Sequence, residues 1–140
     1  MGRDGKFSSM PTQKYIQKAN DDTMLGVQIE DEEGVENIDS ITEVEGIDYL
    51  FIGPYDLAHS MLGKGINPHH PDVQEAIRSV FQTCKEKDIP YGLHVNDVKN
   101  AKKWISSGAK ILTYSTDVGL MKDACMNIAS EIEKLSAFSN

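Results

Sequence analysis

The sequence predicts an α/β fold in which parallel strands alternate with helices. Apolar runs of strand length recur after about residue 24, and each is followed by apolar residues at helical spacing. These runs lack regular alternation with polar residues, which is typical of strands buried on both faces. Strands that alternate with helices pair in parallel through right-handed crossovers. We therefore expect four successive βα units, preceded by a flexible lead-in over residues 1–12.

The first two units follow a short helical segment. Pro11 to Asn20 has a pattern compatible with a helix, and the strand predicted next runs from Met24 to Glu30. Val35, Ile38 and Ile41 at helical spacing indicate the helix of the first unit. Asp48 to Ile52 predicts the second strand, and we expect the following Gly53-Pro54-Tyr55 to form a rigid turn.

The helix of the second unit has the clearest pattern in the chain. Apolar residues recur at i, i+3, i+4, i+7, i+8 and i+11 from Val73 to Cys84, and Pro71 suits the first turn of this helix, predicted over 71–87. The remaining elements are a strand over 91–95, a helix over 98–107, a strand over 110–115, and a long final helix from Leu120 to Leu135. Gly108 is the expected stop of the third helix.

Two architectures are consistent with these elements, a doubly wound sheet and a barrel. No G-x-G-x-x-G follows the first strand, so a dinucleotide-binding fold has no support. Four units are half of the eight that a (β/α)8 barrel needs. Four units alone leave two sheet edges and an apolar face open, so we expect a homo-oligomer.

Composition excludes several classes of partner. The 140 residues carry a formal net charge of −8, which disfavours nucleic acid because a phosphate backbone requires a basic surface. No segment has the pattern of a signal peptide or the length of a membrane span, so we expect a cytoplasmic protein without a membrane partner. Cys84 and Cys125 both lie in helical apolar patterns, which favours two reduced core thiols over a disulfide.

The ends of the predicted strands are where chemistry is expected, because active sites of parallel α/β folds form at the carboxyl ends of the strands. These ends are Glu30, Asp56, Asn96-Asp97 and Thr116-Asp117. Gln28 and Glu30 lie two residues apart, so they face one side of the first strand. Glu30 and Asp56 on adjacent strand ends can reach one cation, and an all-oxygen site suits Mg²⁺ or Mn²⁺. The alternative is that Glu30 begins an acidic run that favours a helix N-terminus.

Other polar groups have simpler interpretations. His69 and His70 precede Pro71 and are expected to lie in a loop where the helix begins, because adjacent histidines there point in different directions. His59 and His94 are further pocket candidates, although an ordinary packed or exposed histidine is the simpler interpretation of each. The residues from Ser115 to Asp117 are expected to cap the last helix, and anion binding by its free N–H groups is the alternative.

Several segments together resemble the HpcH/HpaI aldolase/citrate lyase family. They are V-Q-I-E at 27–30, V-E-N-I-D at 35–39, G-I-D-Y-L-F-I-G-P-Y-D-L at 46–57, H-P-D-V-Q at 70–74 and S-T-D-V-G-L at 115–120. The resemblance extends from about Tyr15 to Ala124, and the order and spacing of the segments make it specific. It implies a (β/α)8 barrel of which this chain is the C-terminal half.

The resemblance also implies an activity and a site. Members of the family are class II pyruvate aldolases, lyases that form or cleave a carbon–carbon bond next to a pyruvate enolate with a divalent metal such as Mg²⁺, Mn²⁺ or Co²⁺. The implied metal ligands are Glu30 and Asp56. Gln28 and the backbone around Tyr55 and Asp56 are the implied pyruvate-binding groups. The implied partners are a 2-oxo acid and an aldehyde.

Departures from the family pattern leave two functional hypotheses open. The family usually has a small residue at the position of Tyr55 and an apolar one near His94, so the aldehyde pocket is expected to differ. The family's proton-transferring histidine and its arginine are expected from the first half of the barrel, and neither Arg3 nor Arg78 suits the arginine's role. The first hypothesis is an aldolase that needs the other half of the barrel, which this chain lacks. The second is a non-catalytic half-barrel that binds a cation and assembles with itself or a partner.

Overall fold

The computed structural model describes residues 10–137 and contains one parallel sheet of four strands. The strands lie in the order β1-β2-β3-β4, so each strand pairs with the next one along the chain. Their bounds are β1 Gly26–Ile29, β2 Tyr49–Ile52, β3 Tyr91–Val95 and β4 Ile111–Tyr114. The predicted βα alternation and parallel pairing are confirmed.

Seven helices connect or flank these strands in the described residues. They are α1 Thr12–Asp22, α2 Glu32–Glu36, α3 Ile38–Ile41, α4 Pro54–Leu62, α5 Pro71–Glu86, α6 Val98–Ser106 and α7 Asp117–Ala137. Residues 1–9 of the predicted lead-in lie outside the described residues. Within residues 10–137, no helix combines the length and apolar character needed to cross a membrane.

The core lies between one face of the sheet and α5. Leu50, Ile52 and Leu93 point from the strands toward α5, and each is at most 1% exposed. They meet the apolar stripe of α5, which includes Ile77 and Phe81. Burial of such side chains contributes about 1.5–3 kcal/mol each, so this contact is a large part of the stability of the fold. We call this side of the sheet the helix face.

The opposite side of the sheet, here called the open face, carries Gln28, Phe51, His94 and Thr113. Strand alternation places the first three away from the buried apolar residues of β1 to β3, and Thr113 of β4 pairs with His94. Gln28 and Thr113 are exposed, whereas Phe51 and His94 are half-buried. The open face is the side that would become the interior if the sheet were part of a closed barrel.

The segment after β2 differs from its prediction. It is a nine-residue helix, α4, rather than a rigid turn. Gly53 precedes the helix and Pro54 occupies its first position, where a missing N–H has no cost. Leu57 and Ala58 are fully buried and fix the helix against the core. Asp56 therefore lies in a helix that begins at the carboxyl edge of the sheet.

The predicted long final helix is confirmed as α7, but its apolar face is not covered. Its apolar residues are exposed, as shown by Met121 at 69% and Ile128 at 61%. Cys125 is also exposed, so the prediction that both thiols lie in the core holds for Cys84 alone; both thiols are free. The sequence pattern marked an apolar helix face correctly, but no described element packs over it.

Candidate functional site

The candidate site begins with two polar side chains on β1. Gln28 is exposed whereas Ile29 is 2% exposed, so the strand alternates and places Gln28 and Glu30 on the open face, as predicted. The side-chain amide Nε2 of Gln28 donates a hydrogen bond to Oε2 of Glu30 at 2.5 Å. A bond to a carboxylate is stronger than one between neutral groups, so Gln28 fixes the direction of the Glu30 carboxylate.

Gly53 brings the end of β2 against this pair. Its N–H donates to the carbonyl oxygen of Ile29 at 3.1 Å, which continues the β1–β2 pairing by one step. A Cβ atom built on Gly53 would lie 2.8 Å from Nε2 of Gln28 and 3.1 Å from Oε2 of Glu30. Only glycine allows this approach without a displacement, so its position is matched to the Gln28–Glu30 pair.

Asp56 lies in the first turn of α4, three residues after Gly53. Its carboxylate is exposed at the same edge of the sheet as Glu30. The N-terminus of a helix carries partial positive charge and unpaired N–H groups, which favour an anion at this place. The sequence prediction that Glu30 and Asp56 stand at neighbouring strand ends agrees with the order of β1, β2 and α4.

The donor set suits a hard cation that keeps open coordination positions. Glu30 and Asp56 offer carboxylate oxygens, the ligands that Mg²⁺ and Mn²⁺ prefer. Residues 10–137 contain no group of three or more His, Cys, Asp or Glu side chains arranged to hold a metal. Two protein carboxylates with the remaining positions left to water or substrate is a usual arrangement for Mg²⁺. The residues present therefore fit such an ion.

The acidic residues after Glu30 have the role that the alternative interpretation gave them. Asp31 caps α2 by accepting a hydrogen bond from the N–H of Gly34 at 2.7 Å, and Glu32 and Glu33 lie in the first turn. Glu30 precedes this cap and is outside the helix. Helix capping thus accounts for the run from 31 to 33 and leaves Glu30 available to the site.

The other two strand ends each supply a residue that caps the following helix. Asp97 caps α6, and the N–H of Asn100, which donates to it at 2.8 Å, holds the pKa of the Asp97 carboxyl below its usual value. Thr116 likewise accepts from the N–H of Gly119 at 3.0 Å, at the start of α7. The expected cap at 115–117 is confirmed.

The four histidines lie in different places, and most of them are away from the open face. Nδ1 of His70 accepts from the N–H of Asp72 at 3.3 Å, so this residue caps α5 as a loop residue where the helix begins. The N–H of His69 donates to Oδ1 of Asn67 within the loop. His59 is exposed on α4. His94 alone among them lies on the open face.

A chain of hydrogen bonds at the rim was not anticipated from the sequence. Nδ2 of Asn96 donates to the hydroxyl of Tyr55 at 2.7 Å, and Oδ1 of Asn96 is 3.0 Å from Nε2 of His94. Nδ1 of His94 is 2.9 Å from the hydroxyl of Thr113. The available signal was the spacing of His94 and Asn96, which repeats the i, i+2 pattern of Gln28 and Glu30.

Comparisons with known proteins agree on one family. A sequence model of the HpcH/HpaI aldolase/citrate lyase family matches residues 6–124. A 5-keto-4-deoxy-D-glucarate aldolase from Shigella dysenteriae serotype 1 is 34% identical over 120 residues, which are 86% of this chain and 46% of that protein. The chain spans about half the length of the curated relatives that it matches.

Solved structures give the same result. A HpcH/HpaI aldolase/citrate lyase family protein from Burkholderia cenocepacia J2315 matches with a TM-score of 0.81 and 31% identity, over 86% of this chain and 47% of that one. The HpcH/HpaI aldolase from Desulfitobacterium hafniense DCB-2 matches with a TM-score of 0.76 and 27% identity, over 91% and 49%. These matches confirm the predicted fold class, a part of a (β/α)8 barrel made of four βα units.

Proposed function

The chain belongs to the HpcH/HpaI aldolase/citrate lyase family, and from this membership we propose that it supplies the metal-binding and pyruvate-binding part of an aldolase. The reaction is the formation or cleavage of a carbon–carbon bond next to a pyruvate enolate. The observation that carries the proposal is the Gln28–Glu30 pair held against Gly53, at the sheet edge where Asp56 lies in the first turn of α4.

Glu30 and Asp56 are the proposed metal ligands. A bound divalent ion would act as a Lewis acid toward the keto oxygen, where negative charge develops when the bond breaks. Glu30 is held in direction by Gln28, and a ligand carboxylate with such a partner keeps its geometry when the ion exchanges. Asp56 brings the second carboxylate from a helix whose first turn is fixed by Pro54 and buried Leu57.

Gln28 and the start of α4 are the proposed binding groups for the 2-oxo acid. The Gln28 amide has two N–H bonds and uses one of them on Glu30, which leaves the second to donate to a substrate oxygen. The first N–H groups of a helix have no partner within the helix, so those at Tyr55 and Asp56 suit the substrate carboxylate. The names of the matched relatives as aldolases support this substrate class.

Proton transfer and the stabilisation of the enolate by an arginine are both proposed to depend on groups outside residues 10–137. Arg78 lies on α5 and donates from Nη2 to Oε2 of Glu75 at 2.5 Å, so it is committed to a surface pair away from the open face. The alternative function, a cation-binding half-barrel without activity, is consistent with the same observation. An enzyme needs a proton acceptor beside the enolate, whereas a binding module does not.

Release of pyruvate from 4-hydroxy-2-oxo acids tests the proposal. The chain is assayed with and without Mg²⁺ or Mn²⁺, beside Glu30→Ala, Asp56→Ala and the control Glu36→Ala, which removes an exposed carboxylate from the end of α2. Turnover that requires metal, is lost in both site variants and is kept in the control supports the aldolase. Metal binding without turnover supports the half-barrel, and turnover that survives both substitutions contradicts the site.

A further inference from the structure

The direction of the hydrogen bonds at the rim follows from the orientation of the Asn96 amide. Asn96 uses its Nδ2 group to donate to the Tyr55 hydroxyl, so the atom that faces His94 is the carbonyl oxygen Oδ1. An oxygen of this kind only accepts, and Nε2 of His94 must therefore carry the proton. Tyr55 receives a hydrogen bond from Asn96, which leaves its own hydroxyl proton to point elsewhere.

Tyr55 is thus the last residue in this series of hydrogen bonds, and none of the other three residues accepts its hydroxyl proton. Its side chain is 43% exposed, so the hydroxyl is accessible at the rim. Its ring stands edge-on to His94 with the centroids 6.4 Å apart, which limits the directions that the hydroxyl can take. A donor fixed in this way binds an oxygen of a ligand rather than a cation.

The position of this donor relative to the metal ligands follows from the strand register. Ile29 pairs with Ile52 and Ile52 with Leu93, so the next row across the sheet contains Glu30, Gly53 and His94. The Gln28–Glu30 pair extends over Gly53, because a Cβ atom built on Gly53 would lie 2.8 Å from Nε2 of Gln28 and 3.1 Å from Oε2 of Glu30. Neighbouring strands lie about 4.8 Å apart, so His94 stands about one to two strand spacings from this pair.

Under the proposed function, on which this inference rests, the 2-oxo acid end of a substrate lies at the Gln28–Glu30 pair, at one end of this row. The remainder of the substrate then extends toward β3, where the ring of Tyr55, a residue of α4, stands edge-on to His94. We propose that the Tyr55 hydroxyl donates a hydrogen bond to the oxygen on carbon 4 of the substrate. This oxygen is the carbonyl oxygen of the aldehyde before the bond forms and the 4-hydroxyl oxygen afterwards.

The chemistry of that oxygen agrees with a donor at this place. Negative charge develops on the aldehyde oxygen while the carbon–carbon bond forms, and a fixed hydroxyl donor stabilises it. Tyr55 is then a substrate-binding residue that selects partners with an oxygen at this carbon. Asn96 is the positioning residue, because its amide forces the Tyr55 proton to point away from β3.

A pair of ligands that cannot be cleaved isolates this contact. 4-Methoxy-2-oxobutanoate carries an ether oxygen on carbon 4, which accepts a hydrogen bond but donates none, and 2-oxohexanoate has a methylene group instead. Binding of both, and of pyruvate, is measured by calorimetry with saturating Mg²⁺. One net hydrogen bond predicts that the unsubstituted protein prefers the ether about two- to tenfold.

The variants separate the inference from the proposed function. Tyr55→Phe keeps the ring and is expected to abolish the ether preference while it leaves pyruvate affinity within about twofold. Asn96→Asp replaces the amide donor with an oxygen that accepts the Tyr55 proton, and it is expected to abolish the preference as well. Tyr114→Phe is the matched control, since Tyr114 is 45% exposed and lies on β4 one residue from Thr113.

Each outcome decides one point. Loss of the ether preference in Tyr55→Phe and Asn96→Asp, but not in Tyr114→Phe, supports the inference. An equal preference in Tyr55→Phe, or no preference in the unsubstituted protein, overturns the inference while pyruvate binding upholds the proposed function. Failure of the unsubstituted protein to bind pyruvate with Mg²⁺ overturns the proposed function and the inference together.

Discussion

Substitution of Gly53 by alanine perturbs the proposed metal site without touching a ligand. The backbone of Gly53 has φ −93° and ψ 86°, so alanine meets no left-handed strain at this position. The added Cβ atom would lie 2.8 Å from Nε2 of Gln28 and 3.1 Å from both Cβ and Oε2 of Glu30. These distances are shorter than van der Waals contact, so the Gln28–Glu30 pair must move by several tenths of an ångström.

The magnitude follows from what that movement breaks. The bond from Gln28 to Glu30 involves a carboxylate, and such a bond contributes about 1.5–3 kcal/mol. Loss of a partner that orients a metal ligand typically lowers metal affinity about 10- to 100-fold. We therefore expect Gly53→Ala to weaken Mg²⁺ or Mn²⁺ binding by at least about tenfold while the fold persists.

Titration calorimetry with Mn²⁺, beside thermal unfolding, measures both effects. Gly65→Ala is the control, because a Cβ atom at Gly65 meets no atom within 4 Å and the residue follows α4 in an exposed loop. The control is expected to bind Mn²⁺ as the unsubstituted protein does. Equal Mn²⁺ affinity in Gly53→Ala and Gly65→Ala would refute the argument that Gln28 orients Glu30 for metal.

Three further predictions concern stability. Phe81→Ala should lower the free energy of unfolding in urea by about 3–5 kcal/mol, because Phe81 is buried against Tyr91. Phe51 is half-buried on the open face, so Phe51→Ala should lower it clearly less, and similar losses would mean that the open face is part of the core. Gly92→Ala should be among the most destabilising substitutions, because its Cβ would lie 1.9 Å from the carbonyl oxygen of Ile111, and retention of the unfolding midpoint would contradict the β3–β4 pairing. Burial raises the pKa of the Cys84 thiol to about 11, so the folded state keeps the proton at pH values where the unfolded state loses it, and stability falls as pH rises from about 9 to 11. The free energy of unfolding should therefore fall between pH 8 and pH 10 by about 1 kcal/mol more in the unsubstituted protein than in Cys84→Val, and an equal pH dependence would argue against this linkage.

Helix α5 shows what sequence patterns predict well. Its apolar residues follow the 3.6-residue period without interruption, and it runs from Pro71 to Glu86, one residue short of the expected end. The strands were placed within two residues from their apolar runs, and β3 has its predicted bounds. Continuous periodicity needs no knowledge of neighbouring elements.

Helix α4 and the final helix show where patterns are insufficient. Gly53-Pro54 is compatible both with a turn and with the start of a helix, and burial of Leu57 by the rest of the fold decides between them. For α7 the pattern identifies an apolar face, but whether that face is covered depends on which surface lies opposite. Exposed Leu120 and Ile132 show that residues 10–137 do not supply that surface.

The candidate site likewise contains one contact that a local sequence pattern predicts and one that it does not. The shared face of Gln28 and Glu30 follows from the two-residue period of one strand, and their hydrogen bond agrees with it. The bond from Asn96 to Tyr55 joins residues 41 positions apart and depends on the packing of α4 beside β3. No local pattern contains that information, so this contact required the structure.

Mn²⁺ binding in the presence of saturating pyruvate decides whether Glu30 and Asp56 hold the ion to which the 2-oxo acid binds. Calorimetry compares the unsubstituted protein with Glu30→Gln, Asp56→Asn and the control Glu36→Gln, which change charge with little change in size. We expect one ion for each chain, tighter binding with pyruvate than without it, and loss of binding in both site variants but not in the control. Binding that persists in Glu30→Gln and Asp56→Asn would show that these two carboxylates do not hold the ion.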